Sequence, residues 1–325
     1  MAICVTGGAG YIGAHIVRLL EEAGHEVVVV DDLSYGDAKR VGHARLVQLD
    51  LADTAEIPRL QAALDGCSAV IHVAGRKQVG ESVARPAWYF QQNVGGMANL
   101  LLAMKGQGVD RLVFSSSAAV YGEPPVGQVN ERTRQEPINP YGESKLVGEW
   151  LARDAARAWD LRVVNLRYFN VAGSGWEDLG DPAVLNLIPM VFQRLYEHRR
   201  PAIFGDDYPT PDGTCVRDYI HVLDVATAHL VALDYLATKE RPFDVFNIGA
   251  GEGHSVRQVV EAVGEVTGLD ATPEIEPRRP GDPPVLVGDV ARIERVFAWH
   301  AQHDLRSIVD SAWLAWQAGP KHIEA

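Results

Sequence analysis

A chain of 325 residues, 47% of them hydrophobic, has material for two modest domains or one large one around a buried core. Its net charge of −13 excludes nucleic acid or an anionic membrane as the main partner, so an anionic substrate would need local positive charge at its site. Three widely spaced cysteines (Cys4, Cys67, Cys215) form neither a disulfide framework nor a zinc spacing, and the chain starts inside its first apolar run. The expectation is a cytoplasmic protein without a membrane span.

The first stretch carries the strongest signal. Ile3-Cys4-Val5 reads as a buried strand, Thr6-Gly7-Gly8-Ala9-Gly10-Tyr11-Ile12-Gly13 as a tight turn, and Ile16, Val17, Leu19 and Leu20 as one side of a helix. Strand, glycine turn and helix together form a pyrophosphate cradle. Side chains at Gly8 or Gly10 would hold the backbone off the phosphates, and one at Gly13 would push helix from strand. The next strand, Glu26–Val30, ends in Asp31, at the spacing where a carboxylate meets the adenosine ribose. A carboxylate there repels a 2′-phosphate and favours NAD over NADP.

A polar loop from Leu33 to Gly42 reads as flexible. Strands are expected at Arg45–Asp50, Ala69–Val73 and Arg111–Phe114, the last running into Ser115-Ser116-Ser117. Asp50 is placed to accept from an adenine amino group or, equally, to cap the helix after Thr54. A long helix is expected from Trp88 to Met104. The alternation predicts an α/β fold with a doubly wound parallel sheet and ligands at the carboxyl ends of its strands.

Asn139-Pro140 is a helix start, and Leu146, Val147, Trp150 and Leu151 continue that helix. Tyr141 and Lys145 are therefore one turn apart on one face. A tyrosine titrates near ~10 when free, and a fixed ammonium beside it favours the phenolate, a general base for a sugar or alcohol hydroxyl. Farther on, Arg162–Leu166 and Val245–Ile248 read as strands and Leu223–Leu236 as a helix. Ser255–Val266 is an amphipathic helix with core valines, and Leu305–Trp316 a closing helix whose tryptophans serve packing.

The glycine turn, Phe114-Ser115-Ser116-Ser117-Ala118-Ala119-Val120-Tyr121-Gly122 and Tyr141-Gly142-Glu143-Ser144-Lys145 together resemble the extended short-chain dehydrogenase/reductases. Leu166–Asn170, Ile203–Thr210, Asp212–Val222 and Arg278-Arg279-Pro280-Gly281-Asp282 sharpen the likeness to that group's UDP-glucose 4-epimerases, over nearly the whole chain. The resemblance implies a Rossmann domain over 1–171, to which 223–248 returns. It also implies a smaller α/β substrate domain over 172–325, with an interleaved boundary. It implies an isomerase that inverts C4 of a UDP-hexose by transient oxidation to a 4-keto sugar, rotation and re-reduction, with bound NAD.

By the same resemblance Tyr141 is the base, Lys145 its electrostatic partner and Ser117 the hydroxyl that orients the sugar, while Ser115 and Ser116 finish the strand and bond backbone. The cofactor meets Gly7, Gly10, Tyr11, Ile12 and Gly13 at the turn, and Asp31, Asp32 and Leu33 after the second strand. It meets Asp50 and Leu51 after the third, and Val73, Ala74, Gly75 and Lys77 after the fourth. Gln92, Tyr141, Lys145 and Tyr168 complete its contacts. The UDP-sugar meets Lys77, Ser117, Tyr141, Phe169, Asn170, Asn186, Leu187, Ala202, Ile203, Phe204, Arg217, Arg279 and Asp282. Arg217 and Arg279 supply planar donors for a diphosphate, Phe204 a ring for uracil and Asp282 an acceptor for a ribose hydroxyl.

Gln92 departs from the family's asparagine, and Leu286, at a position that sets room around the sugar, leaves N-acetylated and pentose sugars open. A 4,6-dehydratase needs an acid–base pair where Ala118-Ala119 stand, a decarboxylase an arginine for a C6 carboxylate, and a non-catalytic NAD sensor no Tyr141, Lys145 and Ser117 together. The resemblance further implies a homodimer in which Trp88–Met104 and Tyr141–Trp159 pair into a four-helix bundle.

Overall fold

The computed structural model describes residues 2–125, 127–238, 243–279 and 281–319; Pro280 of the Arg278–Asp282 motif lies outside them. The chain opens with β1 (Ala2–Thr6), α1 (Tyr11–Glu22), β2 (Glu26–Asp31), β3 (Arg45–Gln48), α2 (Ile57–Leu64) and β4 (Cys67–His72). Then follow α3 (Val79–Ala84), α4 (Pro86–Tyr89), a π turn (Phe90–Gly95), α5 (Gly96–Gln107), β5 (Arg111–Ser117), β6 (Gln128–Val129), α6 (Pro140–Trp159) and β7 (Arg162–Tyr168). The second half runs β8 (Asn170–Ala172), α7 (Leu187–Tyr196), β9 (Ala202–Phe204), β10 (Val216–His221), α8 (Val222–Thr238) and β11 (Phe243–Ile248). It closes with β12 (Gly253–Ser255), α9 (Val256–Thr267), β13 (Glu274–Glu276), β14 (Val285–Gly288), α10 (Ala291–Phe297) and α11 (Leu305–Ala318).

Among the described residues seven strands form one parallel sheet in the order β11-β7-β5-β4-β1-β2-β3. Strand side chains alternate between faces, and both faces are covered. Ile3, Val5, Val27 and Val29 pack with Ile16, Val17 and Leu20 of α1 and Val225, Ala228 and Ala232 of α8. Cys4, Val28 and Val30 face the other way, onto Leu60 and Leu64 of α2, Leu100 and Met104 of α5 and Ala152 of α6. Each such leucine contributes about 1.5–3 kcal/mol by leaving water. The order reverses at β1, which lies between β2 and β4, and a crevice opens there at the carboxyl ends.

A smaller layer gathers around β10, which pairs with β12, β14 and β8, while β9 pairs with β13. The core under it joins α7, α9 and α11, with Phe192 between Trp313 and Trp316. Val259, Val260 and Val263 are buried there, as the valine spacing of this helix requires, and Ser255 starts the helix through a capping box.

Some elements differ from the sequence reading. The expected helix from Trp88 to Met104 is interrupted by the π turn, where Asn93 turns inward to bond the Arg76 backbone and Ser144 (2.9 Å) rather than lying on a regular face. The polar loop contains a 3₁₀ turn, Ala38–Val41, capped by Asp37 and pinned where Arg40 donates to the carbonyls of Leu179 and Gly180. Helix capping after Thr54 falls to Asp53, not Asp50.

One buried network locks α6 to the sheet. Arg167 of β7 forks onto Glu149 of α6 (Nε to Oε1 2.8 Å, Nη2 to Oε2 2.5 Å), with both side chains 4% exposed. Ser116 of β5 donates to the same carboxylate. Arg167 also donates to the Tyr121 hydroxyl (3.1 Å), which donates to Asn247 of β11 (2.6 Å). Removing one partner of such a pair leaves a charge buried alone, so Glu149→Gln should lower stability by about 3–5 kcal/mol in urea unfolding. A change near zero would show that the network carries no stability.

Candidate active site

The crevice is built from the glycine turn upward. A Cβ at Gly13 would stand 2.0 Å from the Gly7 carbonyl oxygen, and one at Gly7 (φ +72°) 2.6 Å from the Ala74 nitrogen, so the turn closes on itself and on the loop after β4. Gly8 serves a different purpose from the one its motif suggests. Its Cβ would strike the Val29 side chain at 2.8 Å, so it is strand packing, not phosphate approach, that requires glycine there. Gly10 caps α1, no side chain among the described residues caps that helix end, and its first turn holds no acid. Its free N–H groups and positive pole face the crevice.

Gly7, Gly10, Tyr11, Ile12, Gly13, Asp31, Asp32, Asp50, Leu51, Val73, Ala74, Gly75, Lys77, Gln92, Tyr141, Lys145 and Tyr168 line one lobe of the cleft. Leu33 does not line it; its N–H donates to Asp31 Oδ1 (2.9 Å) while Ala9 N–H donates to Oδ2 (3.0 Å). Those two bonds aim the carboxylate, and burial raises its pKa against their pull. Asp50 accepts from Ala52 N–H (2.8 Å) and from the Gln92 amide (3.3 Å), so the glutamine bonds at the adenosine end of the lobe.

On α6, Asn139 caps the helix by accepting from Gly142 N–H (2.9 Å), and Tyr141 and Lys145 follow on the cleft face. Ser117, lining neither lobe itself, accepts from Ala119 N–H (3.2 Å) and acts on the Tyr141 phenol to lower its pKa. Burial raises the Tyr141 pKa, and Ser117 is the group that lowers it. Burial also pulls Lys145 down to about 8, while its Nζ donates to the Ser115 carbonyl at 2.9 Å. The lowering expected of Tyr141 from the lysine is not seen in the chain alone, where burial raises the phenol and Ser117 opposes it. His72, bonded to Thr6 (2.6 Å), is driven to about 3 by burial first and by Lys145 second, and stays neutral.

Ser115 and Ser116 finish β5 in register with Leu166 and Arg167, as expected, but their side chains bond other side chains rather than backbone. Ser115 pairs with His229 Nε2 (2.9 Å) and Ser116 with Glu149.

The second lobe encloses about 680 Å³, in the size range of small-molecule sites, and shares Lys77, Gln78 and Leu185 with the first. Asn170, Asn186, Leu187, Ala202, Ile203, Phe204, Arg217, Arg279 and Asp282 line it. Phe169 lines neither lobe; its side chain packs with Ala118, Val120, Tyr121, Val129 and Leu146 in a core cluster. Arg217 donates to the Pro283 carbonyl (2.7 Å) and lies 3.5 Å from Asp282, which also accepts from Arg279 (3.0 Å). One carboxylate against two guanidinium groups leaves one positive charge over. Arg279 stacks on Phe204 at 4.7 Å. Asn186 does not cap α7 with its side chain, which donates instead to Asp181 (2.6 Å), so the helix end is open to the lobe.

Comparison with known proteins settles the family. Residues 3–249 match the model described as "NAD dependent epimerase/dehydratase family". The chain belongs to that family. The UDP-glucose 4-epimerase of Corynebacterium glutamicum is 43% identical over 318 residues, which cover 96% of this chain and 95% of the relative. The crystal structure of UDP-glucose 4-epimerase from Brucella ovis in complex with NAD superposes with a TM-score of 0.91 at 40% identity, covering 96% of this chain and 97% of that one. The Bifidobacterium longum UDP-glucose 4-epimerase in complex with NAD+ and UDP gives 0.92 at 35% identity, with 99% and 100% covered.

The first lobe fits the epimerase family's cofactor: an uncapped helix end for the pyrophosphate, an aimed carboxylate after β2 for a ribose, and Lys145 and Tyr141 at the far end. Sequence reading missed Arg76, which lies between Gly75 and Lys77 on the lobe wall; its position at a strand's carboxyl end was the available signal. It also missed Asp181, Pro182, Ala183 and Leu185, a loop of no regular structure that lines this lobe.

A lysine held near 8 loses its charge within the usual assay range. If the ammonium is needed, kcat/KM should fall as pH rises through about 8, and Lys145→Met should lose about 100-fold or more in kcat, the scale of one general acid–base contribution. A flat alkaline profile would show that the charge is dispensable.

Proposed function

We propose that the chain is an NAD-dependent C4 epimerase of UDP-glucose and UDP-galactose. One observation carries the reading: a buried phenol whose pKa a serine hydroxyl lowers, one helical turn from a buried lysine, on the wall of a dinucleotide lobe that shares residues with an arginine-bearing lobe.

NAD held in the first lobe, between the open end of α1, the Asp31 carboxylate and Lys145, would supply hydride chemistry at the sugar C4. Tyr141 takes the proton of the sugar 4-hydroxyl. Ser117, whose oxygen already accepts from Ala119, has its hydrogen free to orient that hydroxyl and the phenol. Lys145 contributes positive charge toward the phenolate and a donor for the nicotinamide ribose. Arg217 and Arg279 hold the diphosphate together with the open end of α7 at Leu187, Phe204 stacks on uracil, and Asp282 accepts from a ribose hydroxyl. Asn170 and Asn186 reach the sugar and phosphates, Ala202 and Ile203 shape the wall, and Phe169 backs it from the core. With the nucleotide fixed and the sugar loosely held, the 4-keto sugar turns over. Tyr141 then returns its proton to the oxygen on the inverted carbon. Remote binding energy at the nucleotide compensates for a slack grip at the reacting carbon.

In this reading residues 1–171 and 223–248 hold the cofactor and the rest of the chain holds the UDP-sugar. Leu286 lies on β14 in register with Arg217 but packs against the Phe169 core cluster and lines neither lobe, so it does not by itself widen the sugar range. The protein works in the cytoplasm as a homodimer joined across α5 and α6, where Leu102 (51%) and Trp150 (47%) are exposed. Among the described residues no helix is long and apolar enough to cross a membrane.

The purified chain, given UDP-galactose, UDP-N-acetylgalactosamine and UDP-arabinose separately, should yield UDP-glucose from the first. Tyr141→Phe should abolish that conversion while leaving the circular dichroism spectrum and melting temperature in place. Full activity in the variant would end the assignment. A monomer by light scattering at micromolar concentration would remove the dimer.

A further inference from the structure

Arg76 leaves the loop after β4 and crosses to the loop after β2. Its guanidinium donates to Asp32 Oδ2 (2.5 Å) and to the Ser34 hydroxyl on that loop, and through Nε (3.2 Å) and Nη2 (2.9 Å) to Gln92 of the π turn. All four residues line the dinucleotide lobe, beside Asp31, at its adenosine end. The planar fork has five donors, and only an arginine reaches three acceptors on two separate elements in this way. The rings of Tyr35 and Trp88 flank the cation at 5.4 and 5.3 Å.

The root of the side chain is equally fixed. Arg76 N–H donates to Asn93 Oδ1 (2.7 Å), and Asn93 Nδ2 donates to the Arg76 carbonyl (3.0 Å) and to Ser144 (2.9 Å). Ser144 in turn donates to the carbonyl of Tyr141 (2.7 Å). One side chain thus ties the mouth of the lobe to the helix that carries the base. Asp32 feels the tie: burial pushes its carboxyl up, but Ser34 and Arg76 hold it below the ordinary value.

We propose that Arg76 is a strap across the adenosine half of the cofactor lobe that keeps the dinucleotide from leaving between the two halves of a turnover. The proposal rests on the reading of this site as an NAD epimerase. In such a cycle the hydrogen removed from C4 must return to the same sugar, so a dinucleotide that escapes midway strands the sugar as a ketone. The arginine need not contact the cofactor to act. It bridges the loops after β2 and β4 and the π turn between which the adenosine would have to pass.

The test is release, not turnover. Chains carrying Arg76→Leu, Arg76→Lys or Gln92→Leu are loaded with NADH and chased with excess NAD, following nicotinamide fluorescence, and NAD affinity is measured by calorimetry. Arg76→Leu should release the dinucleotide about tenfold faster or more, the scale of losing one charge-assisted hydrogen bond. Arg76→Lys and Gln92→Leu should fall between it and the unsubstituted chain. Melting temperatures of the NAD-free chains separate the strap from a brace that merely joins two loops: a brace would lower melting and leave release unchanged. Release within about twofold of the unsubstituted chain overturns the strap. An unsubstituted chain that binds neither NAD nor NADH overturns the cofactor reading, and the strap with it.

Discussion

Everything in the site depends on how α6 is seated on the ends of β5 and β7, and a buried ion pair seats it. Glu149 is two turns beyond Tyr141 and one beyond Lys145, so its bond to Arg167 fixes the rotation of the helix as well as its height. Burial alone would draw the Arg167 guanidinium down, but the Glu149 carboxylate more than reverses that. Such a pair is poor evidence of stability, since desolvation consumes most of its attraction. Its value is register. A leucine pair of equal volume would fill the space but would let the helix slide or turn, and the phenol with it. Donors from two strands, Ser116 of β5 and Arg167 of β7, meet this one carboxylate, and Arg167 is itself held on the Tyr121 hydroxyl, so one orientation is admitted.

That distinction explains what was legible beforehand. The parallel sheet, the glycine turn, Asp31 and the Tyr141–Lys145 spacing are all written in local periodicity, where the chain's own geometry determines the result. What escaped is set by partners far away in sequence. The π turn exists because Asn93 bonds Arg76 and Ser144, respectively 17 and 51 residues distant. Ser115 finds His229, 114 residues on, a partner no spacing rule could supply. Gly8 looked like a phosphate glycine because its motif is shared, yet its neighbour is Val29 on the adjacent strand. Motif resemblance named the lining residues more completely than pattern alone, and it still placed Phe169 at the substrate when its ring belongs to the core.

Charge in the cleft is arranged against the background of a strongly acidic chain. Positive groups on the cleft wall are each partly neutralised by a neighbour: Arg217 and Arg279 by Asp282 in one lobe, Arg76 by Asp32 at the adenosine end of the other. A ligand anion therefore meets donors already held in place, and the ordering cost of long flexible side chains has been met in folding rather than in binding.

The proposed catalytic pair, Tyr141 and Lys145, follows a related logic with opposite sign. Burial raises the Tyr141 phenol and lowers the Lys145 ammonium, so each is pushed toward its neutral form. Neither is a strong electrostatic partner to the other while the cleft lacks further charge. Positive charge brought beside the phenol favours the phenolate, and the phenolate in turn favours the ammonium, so the two protonation states are coupled and change together. Ser117, which lowers the phenol, already leans that way. A base of this design is weak in the bare protein and competent only in the filled site. In the proposed cycle that would restrict proton abstraction to the moment when a sugar hydroxyl and its hydride acceptor are both in place.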